Sequence, residues 1–368
     1  MPHLEVRRRH AGRAILTAAA ASLAGLLAIV PASGQSGQEL LTYTGADRQQ
    51  KLLECAKKEG EVVIYSAMIA NQALRPITSG FMKKYPVKMT YWRGDSEDIA
   101  AKLAAEVRAN NVVADVVEGT GVGEAVVEAN LVQRYYTPVL SEFPEKYRDP
   151  EGYWTPTRLS YFGIAYNTRL VPADKVPKSY EDLLDPQWKG KIAWRIGSSS
   201  GTPLFLTNLR LAWGEEKARA YLRKLAEQKV VNFGSGSART LVDRVIAGEY
   251  AIALNIFAHH PLISKAKGAP VEGLVLEPVP TTTATMLIPK GARHPCSALL
   301  LVDYILSKDG QTILAGAEYF PARPDVPPDP SVAKIVPSVA GVAEHFVNPP
   351  TLHKNYPVSE AIFQEMFR

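Results

Sequence analysis

Apolar and polar positions alternate with two different periods along residues 61–130. Short, mainly apolar segments at 61–65, 87–92 and 114–117 read as strands, the first of them buried. The stretches between them carry the wider spacing of amphipathic helices, with Ile99, Leu103 and Val107 every fourth position. This pattern predicts helices over 71–85, 95–109 and 123–130, hence a mostly parallel sheet covered on both faces. It restarts downstream, with strands at 191–196, 230–233 and 250–255 and helices at 202–213, 215–228 and 238–248. Two more strand-like segments, 161–167 and 282–288, are placed to cross between the two regions. A helix over 295–315 follows, and the Pro-rich segment from residue 321 reads as a tail wrapping a surface.

Length supports two lobes, since 368 residues exceed the roughly 250–300 that one core sustains. Hydrophobic residues are 46% and charged residues 21% of the chain, which excludes a disordered polyelectrolyte. Two cysteines exclude a disulfide-dense scaffold and a four-cysteine zinc site. Cys55 and Cys296 read as small buried apolar side chains; an oxidising compartment would permit a bridge, and their spacing leaves the pairing open.

The N-terminus changes the charge picture. Arg7, Arg8 and Arg9 precede an apolar run over 14–30 and then Pro31, Ala32, Ser33 and Gly34, the order of a secretory signal peptide cut after Gly34. The run is short for a membrane span, which takes about 20 apolar residues. Residues 1–34 hold four arginines and one glutamate, so the net charge of +5 falls to 38 basic against 36 acidic residues in the remainder. No global signal for nucleic acid or an anionic membrane is left.

Ligands of open α/β sheets sit outside the carboxyl ends of the strands. The residues there are Ser66 and Ala67; Arg93, Gly94 and Ser96; Thr120; Ser199, Ser200, Gly201 and Thr202; Ser237 with Arg239; and Asn255 followed by His259. Four of these loops combine Gly with Ser or Thr at a helix start, where free N–H groups and the helix dipole favour an anion. Ser and Thr are also ordinary helix caps, but capping does not require Gly beside them each time. Arg93 and Arg239 would add charge-assisted bonds, and Tyr65 and Tyr161 would wall the cleft. A small anionic solute is therefore expected, with no cofactor.

Two other chemistries compete. Gly197-Ser198-Ser199-Ser200-Gly201 fits the G-x-S-x-G elbow of a serine hydrolase, with Asp243 and His259 or His260 as partners. It ranks lower because no oxyanion loop precedes it. His259 and His260, taken as strand neighbours, would point to opposite faces and not share one metal ion.

The chain resembles the periplasmic solute-binding proteins of ABC transporters, in the type II cluster that includes ferric-ion-binding proteins. The resemblance is carried by EVVIYSA (61–67), ADVVEG (114–119), IAYNTRLVP (164–172), SYEDLLDPQWKGKIAW (179–194), AGEYAIALN (247–255) and AEYFPARPDV (317–326). It implies an α/β, two-lobed type II fold with a hinge of crossing strands, closing on a solute that an inner-membrane ABC permease then receives. Lobe 1 would comprise 35–160 plus 281–320, and lobe 2 would comprise 161–280, with the tail 321–368 packing on lobe 2. It also implies a periplasmic monomer without catalytic activity. Ferric members hold iron through paired tyrosines after the last strand of lobe 2, helped by His and Glu. Here Ile256, Phe257 and Ala258 take the tyrosines' place, and Ser66-Ala67-Met68-Ile69 holds no His. The metal alternative would rest on Glu118, His259 or Tyr319 with a bridging anion.

Overall fold

A computed structural model describes residues 37–196, 200–234 and 237–368. The expected signal peptide, Ser199 and most of the Gly197–Gly201 elbow lie outside the described residues. Twelve strands form the sheet: β1 (Glu61–Ser66), β2 (Lys88–Arg93), β3 (Val116–Gly119), β4 (Val132–Gln133), β5 (Trp154–Asn167), β6 (Ile192–Arg195), β7 (Val231–Phe233), β8 (Ile252–Phe257), β9 (Val271–Leu274), β10 (Val279–Pro289), β11 (Phe320–Pro321) and β12 (Glu344–Phe346). The main order is β2-β1-β3-β10-β5-β8-β6-β7. The helices used below are α1 (Arg48–Glu59), α2 (Arg75–Lys84), α3 (Ser96–Arg108), α4 (Gly123–Glu128), α5 (Thr202–Trp213), α6 (Glu215–Glu227), α7 (Ala238–Ala247), α8 (His259–Lys265), α9 (Pro295–Leu306), α10 (Lys308–Gly316) and α11 (Pro349–Met366).

The strand directions decide where a ligand can sit. β1, β2 and β3 are mutually parallel, and so are β6, β7 and β8. β10 is antiparallel to both β3 and β5, and β8 is antiparallel to β5. β5 pairs with β10 through Tyr161 and with β8 from Phe162 onward. It therefore runs out of one lobe and into the other. Strands parallel to its first half and antiparallel to its second half all run toward the middle, so the carboxyl ends of both lobes face each other. The chain has the two-lobed α/β fold expected, with β5 and β10 as the crossing strands.

Both crossing strands are longer than the sequence pattern predicts, and every residue of β10 is buried. β5 starts at Trp154 because a register shift admits Pro156: Ala284 pairs with Arg158, but the next residue, Thr285, pairs with Pro156. The extra residue, Thr157, is a β-bulge, the setting in which an internal strand tolerates proline.

The two largest apolar cores among the described residues lie on either side of the crossing. One collects Leu52, Ile64, Phe81 and nearly all of α9; the other collects Trp194, Phe205, Leu222 and Phe363. Cys55 and Cys296 are bonded to each other, with Cα atoms 5.8 Å apart. This corrects the expectation of two independent apolar side chains. The bridge joins α1 to the first turn of α9. Beside it, the Glu59 carboxylate accepts from the Cys296 and Ser297 N–H groups at 3.1 and 2.7 Å and caps that helix.

The Pro-rich tail contains α11, an 18-residue helix absent from the sequence expectation. Pro349 and Pro350 stand at its first positions, where no amide partner is lost. Asn348 caps it by accepting from the Thr351 N–H at 2.8 Å. No described helix is long and apolar enough to cross a membrane.

Candidate functional site

Residues from both halves line one cleft of about 620 Å³, counting its open mouth. From the first half come Ala67, Ile69, Arg93, Asp95, Ser96, Glu97, Thr120 and Arg158. From the second come Arg195, Ser200, Ser237, Ala238, Arg239, Phe257, His259 and His260, and Tyr319 closes the floor. The four loops that combine Gly with Ser or Thr thus meet at one place, although they lie far apart in the chain.

Four arginines face this space. Arg93 ends β2 and is held 3.2 Å from Asp95. Arg239, in the first turn of α7, pairs with Asp243 at 3.1 Å; both guanidinium groups stay partly exposed. Arg158 and Arg195 are buried. Arg195 donates to the Ser200 hydroxyl at 3.0 Å, and burial pulls its pKa below the usual arginine range. Arg158 forms an ion pair with buried Glu118 and lies over the Tyr319 ring, 4.7 Å from its centroid.

The bulge in β5 explains the position of Arg158. Adjacent strand residues normally point to opposite faces. Here the Thr157 hydroxyl (3.1 Å) and the Arg158 guanidinium donate to the same oxygen of Glu118, while Ser66 donates to the other at 2.6 Å. Glu118 is therefore committed to holding a cation at the cleft wall. Sequence reading missed Arg158 because Pro156 reads as a strand breaker; the alternating run to either side was the available signal.

The histidines differ from expectation too. They open α8 rather than ending a strand, and their rings lie edge to face with centroids 4.6 Å apart. Burial holds His259 well below its ordinary pKa and lowers His260 to about 3. Both are neutral at pH 7. Among the described residues, neither ring nitrogen of His259 has a hydrogen-bond partner, nor has Nδ1 of His260. The Tyr319 hydroxyl accepts from the Ile69 N–H at 3.0 Å.

Of the sequence-predicted residues, Ala67, Arg93, Ser96, Thr120, Ser200, Ser237, Arg239 and His259 reach the cleft. Ser66, Gly94, Gly201, Thr202 and Asn255 stand behind it. A Cβ at Gly94 would lie 2.4 Å from the partly exposed Trp92 ring, which would have to shift to admit it. Thr202 donates to the Arg195 carbonyl at 2.8 Å. Asn255, at a positive φ of 53°, donates to the Ser200 and Gly201 carbonyls at 3.3 and 2.7 Å and so holds that loop in place. Ser237 both lines the cleft and caps α7 through the Thr240 N–H at 3.2 Å. Tyr65 and Tyr161 do not wall the cleft: Tyr65 donates to Glu106 at 2.6 Å, and Tyr161 packs on Phe320.

The serine-hydrolase alternative gains no geometry, since Ser199 is outside the described residues and Asp243 is engaged by Arg239. Among the described residues, one cluster has metal-ligand spacing, Cys55, Glu59 and Cys296. Its sulfurs are spent on the disulfide.

A sequence profile of the bacterial extracellular solute-binding proteins matches residues 111–340. The chain belongs to that family. An uncharacterized protein of Haemophilus influenzae is 31% identical over 269 residues, covering 70% of this chain and 76% of the relative. Among solved structures, the periplasmic binding protein AfuA of Actinobacillus pleuropneumoniae, with exogenous fructose-6-phosphate bound, is 25% identical at a TM-score of 0.67 and covers 83% of this chain and 97% of its own. Iron-bound HitA of Pseudomonas aeruginosa is 20% identical at a TM-score of 0.68 and covers 82% and 99%, a likeness of fold. As a member of this family the protein is the solute-binding component of an ABC importer.

Proposed function

We propose that the cleft captures a small organic anion, a carboxylate or a phosphoryl compound, in the periplasm and delivers it to an inner-membrane permease. The observation that carries this reading is the charge of the wall. Four arginines line it against two carboxylates, Asp95 and Glu97, with Glu118 behind. The histidines add no charge at neutral pH. Guanidinium groups in a recessed site match carboxylate and phosphoryl oxygens with paired N–H donors. Hydroxyls at helix starts, from Ser96 and Ser237, add donors of the same kind. The fructose-6-phosphate in AfuA is of this chemical class.

A second reading, ferric iron or a metal with a bridging anion, draws on the two nitrogens of His259, unpartnered among the described residues, beside Tyr319. The arrangement favours it less. A hard trivalent cation calls for anionic oxygen donors, and all of Glu118's oxygens are engaged. Calorimetric titration with fructose-6-phosphate, citrate and ferric citrate separates the two readings. Tight binding of an iron-free anion, weakened about 10- to 150-fold by Arg93→Ala or Arg239→Ala, supports the first, because one charge-assisted bond is worth about 1.5–3 kcal/mol. Binding that requires iron and vanishes in His259→Ala overturns it.

A further inference from the structure

We propose that α11 is a jointed strap that ties the two lobes together beside the cleft and sets how far apart they stand. The inference holds whichever solute is bound.

The C-terminal half of α11 belongs to the second lobe. Ile362 and Phe363 are buried in its core. The Ser359 and Thr207 hydroxyls meet at 2.8 Å, and Glu365 pairs with Arg219 of α6 at 3.2 Å. The N-terminal half bridges the two: Leu352 packs with Phe162, Val347 and Leu204 of α5, and one residue on, His353 Nε2 lies 2.5 Å from the Glu128 carboxylate at the end of α4 in the first lobe. That pair is exposed, so it is weak enough to break and reform.

Between these two attachments sits Pro357. A proline in a helix has no N–H to donate to the carbonyl four residues back, here that of His353. The helix is thus unlatched between the turn that touches α4 of the first lobe and the end sunk in the second, which is the place for a joint.

The surroundings fit a moving part. A gap of about 360 Å³ separates α11 from α4 and β10, with Gly121 and Glu124 on one side, Thr282 and Thr283 at the back, and Tyr356 opposite. Tyr356 also lines a groove against Ile196 and Thr202 of the second lobe. One ring therefore stands between the lobes. Thr120 lines the solute cleft and its neighbour Gly121 lines this gap. Any movement of the cleft wall carries α4 and changes the distance that the strap must bridge.

The test reads interlobe distance in the full chain without added solute. Both native cysteines are bonded to each other, so spin labels attach only at Lys83→Cys on α2 and Arg223→Cys on α6, two exposed positions. Pulsed electron resonance on His353→Ala should show the more open population raised by up to about fivefold, the value of one exposed side-chain contact. The charge swap E128H with H353E should restore the native distribution, and Pro357→Ala, which makes the helix continuous, should narrow it. Unchanged distributions in both His353→Ala and Pro357→Ala, each folded by circular dichroism, would overturn the proposal.

Discussion

Glu118→Gln isolates the charge that the β5 bulge gathers. The side chain keeps its shape and can still accept from Ser66, but Arg158 loses its counter-charge in a site where both residues are buried. Removing one partner of a buried pair costs about 3–5 kcal/mol, because the remaining charge is left uncompensated. For a chain of this length, an unfolding entropy of about 2 cal/mol/K per residue converts that cost into a loss of about 4–7 °C in melting temperature. Added citrate or fructose-6-phosphate should then raise the melting point of Glu118→Gln more than that of the native protein, since the anion takes over the neutralising role. Differential scanning calorimetry with and without the anion measures both effects. A variant as stable as the native chain, or one that gains less from the anion, would refute the view that Glu118 holds Arg158 ready for a guest.

Other outcomes follow from features at and beyond the cleft. His259 and His260 have folded pKa values below the unfolded value of about 6.5, so the unfolded chain takes up protons that the folded chain refuses. Stability should fall as pH drops below about 6.5, by about 1.4 kcal/mol per pH unit for each histidine. Urea unfolding of His259→Gln/His260→Gln between pH 7.5 and 5 should show a shallower loss than the native chain, and equal slopes would contradict the burial argument. Cys55→Ser with Cys296→Ser reopens a loop of about 240 residues and should cost up to about 5 kcal/mol in the chain-entropy picture, read from the urea midpoint. A change below about 1 kcal/mol would mean that packing around Glu59 holds α1 on α9 without the bond.

The parts of the fold visible in the sequence are those with a local physical signature. Apolar runs marked the parallel strands of both lobes, and Gly beside Ser or Thr at helix starts marked loops that converge on one cleft. Non-local features left no such trace. Nothing around Cys55 or Cys296 encodes their approach, which depends on α1 lying against α9. Arg158 was hidden by Pro156, whose effect on the strand is cancelled by a bulge set by the partner strand. The prolines of α11 read as breakers, yet two of them occupy a helix start. Asn255 and Thr202 were expected to touch the solute from their place after strands, whereas their side chains hold backbone carbonyls of the neighbouring loop and strand end.

The single unpaired residue in β5 also fixes how this strand can change in length. Deleting Thr157 would leave Pro156 opposite Thr285 and Arg158 opposite Ala284, but in a regular ladder without the hydroxyl that shares an oxygen of Glu118 with the Arg158 guanidinium. The pocket would keep its recessed cation, while the carboxylate that fixes it would lose one of three side-chain donors. Thr157 therefore counts twice in this strand, as the inserted residue that seats Pro156 and as a donor to the carboxylate behind the pocket.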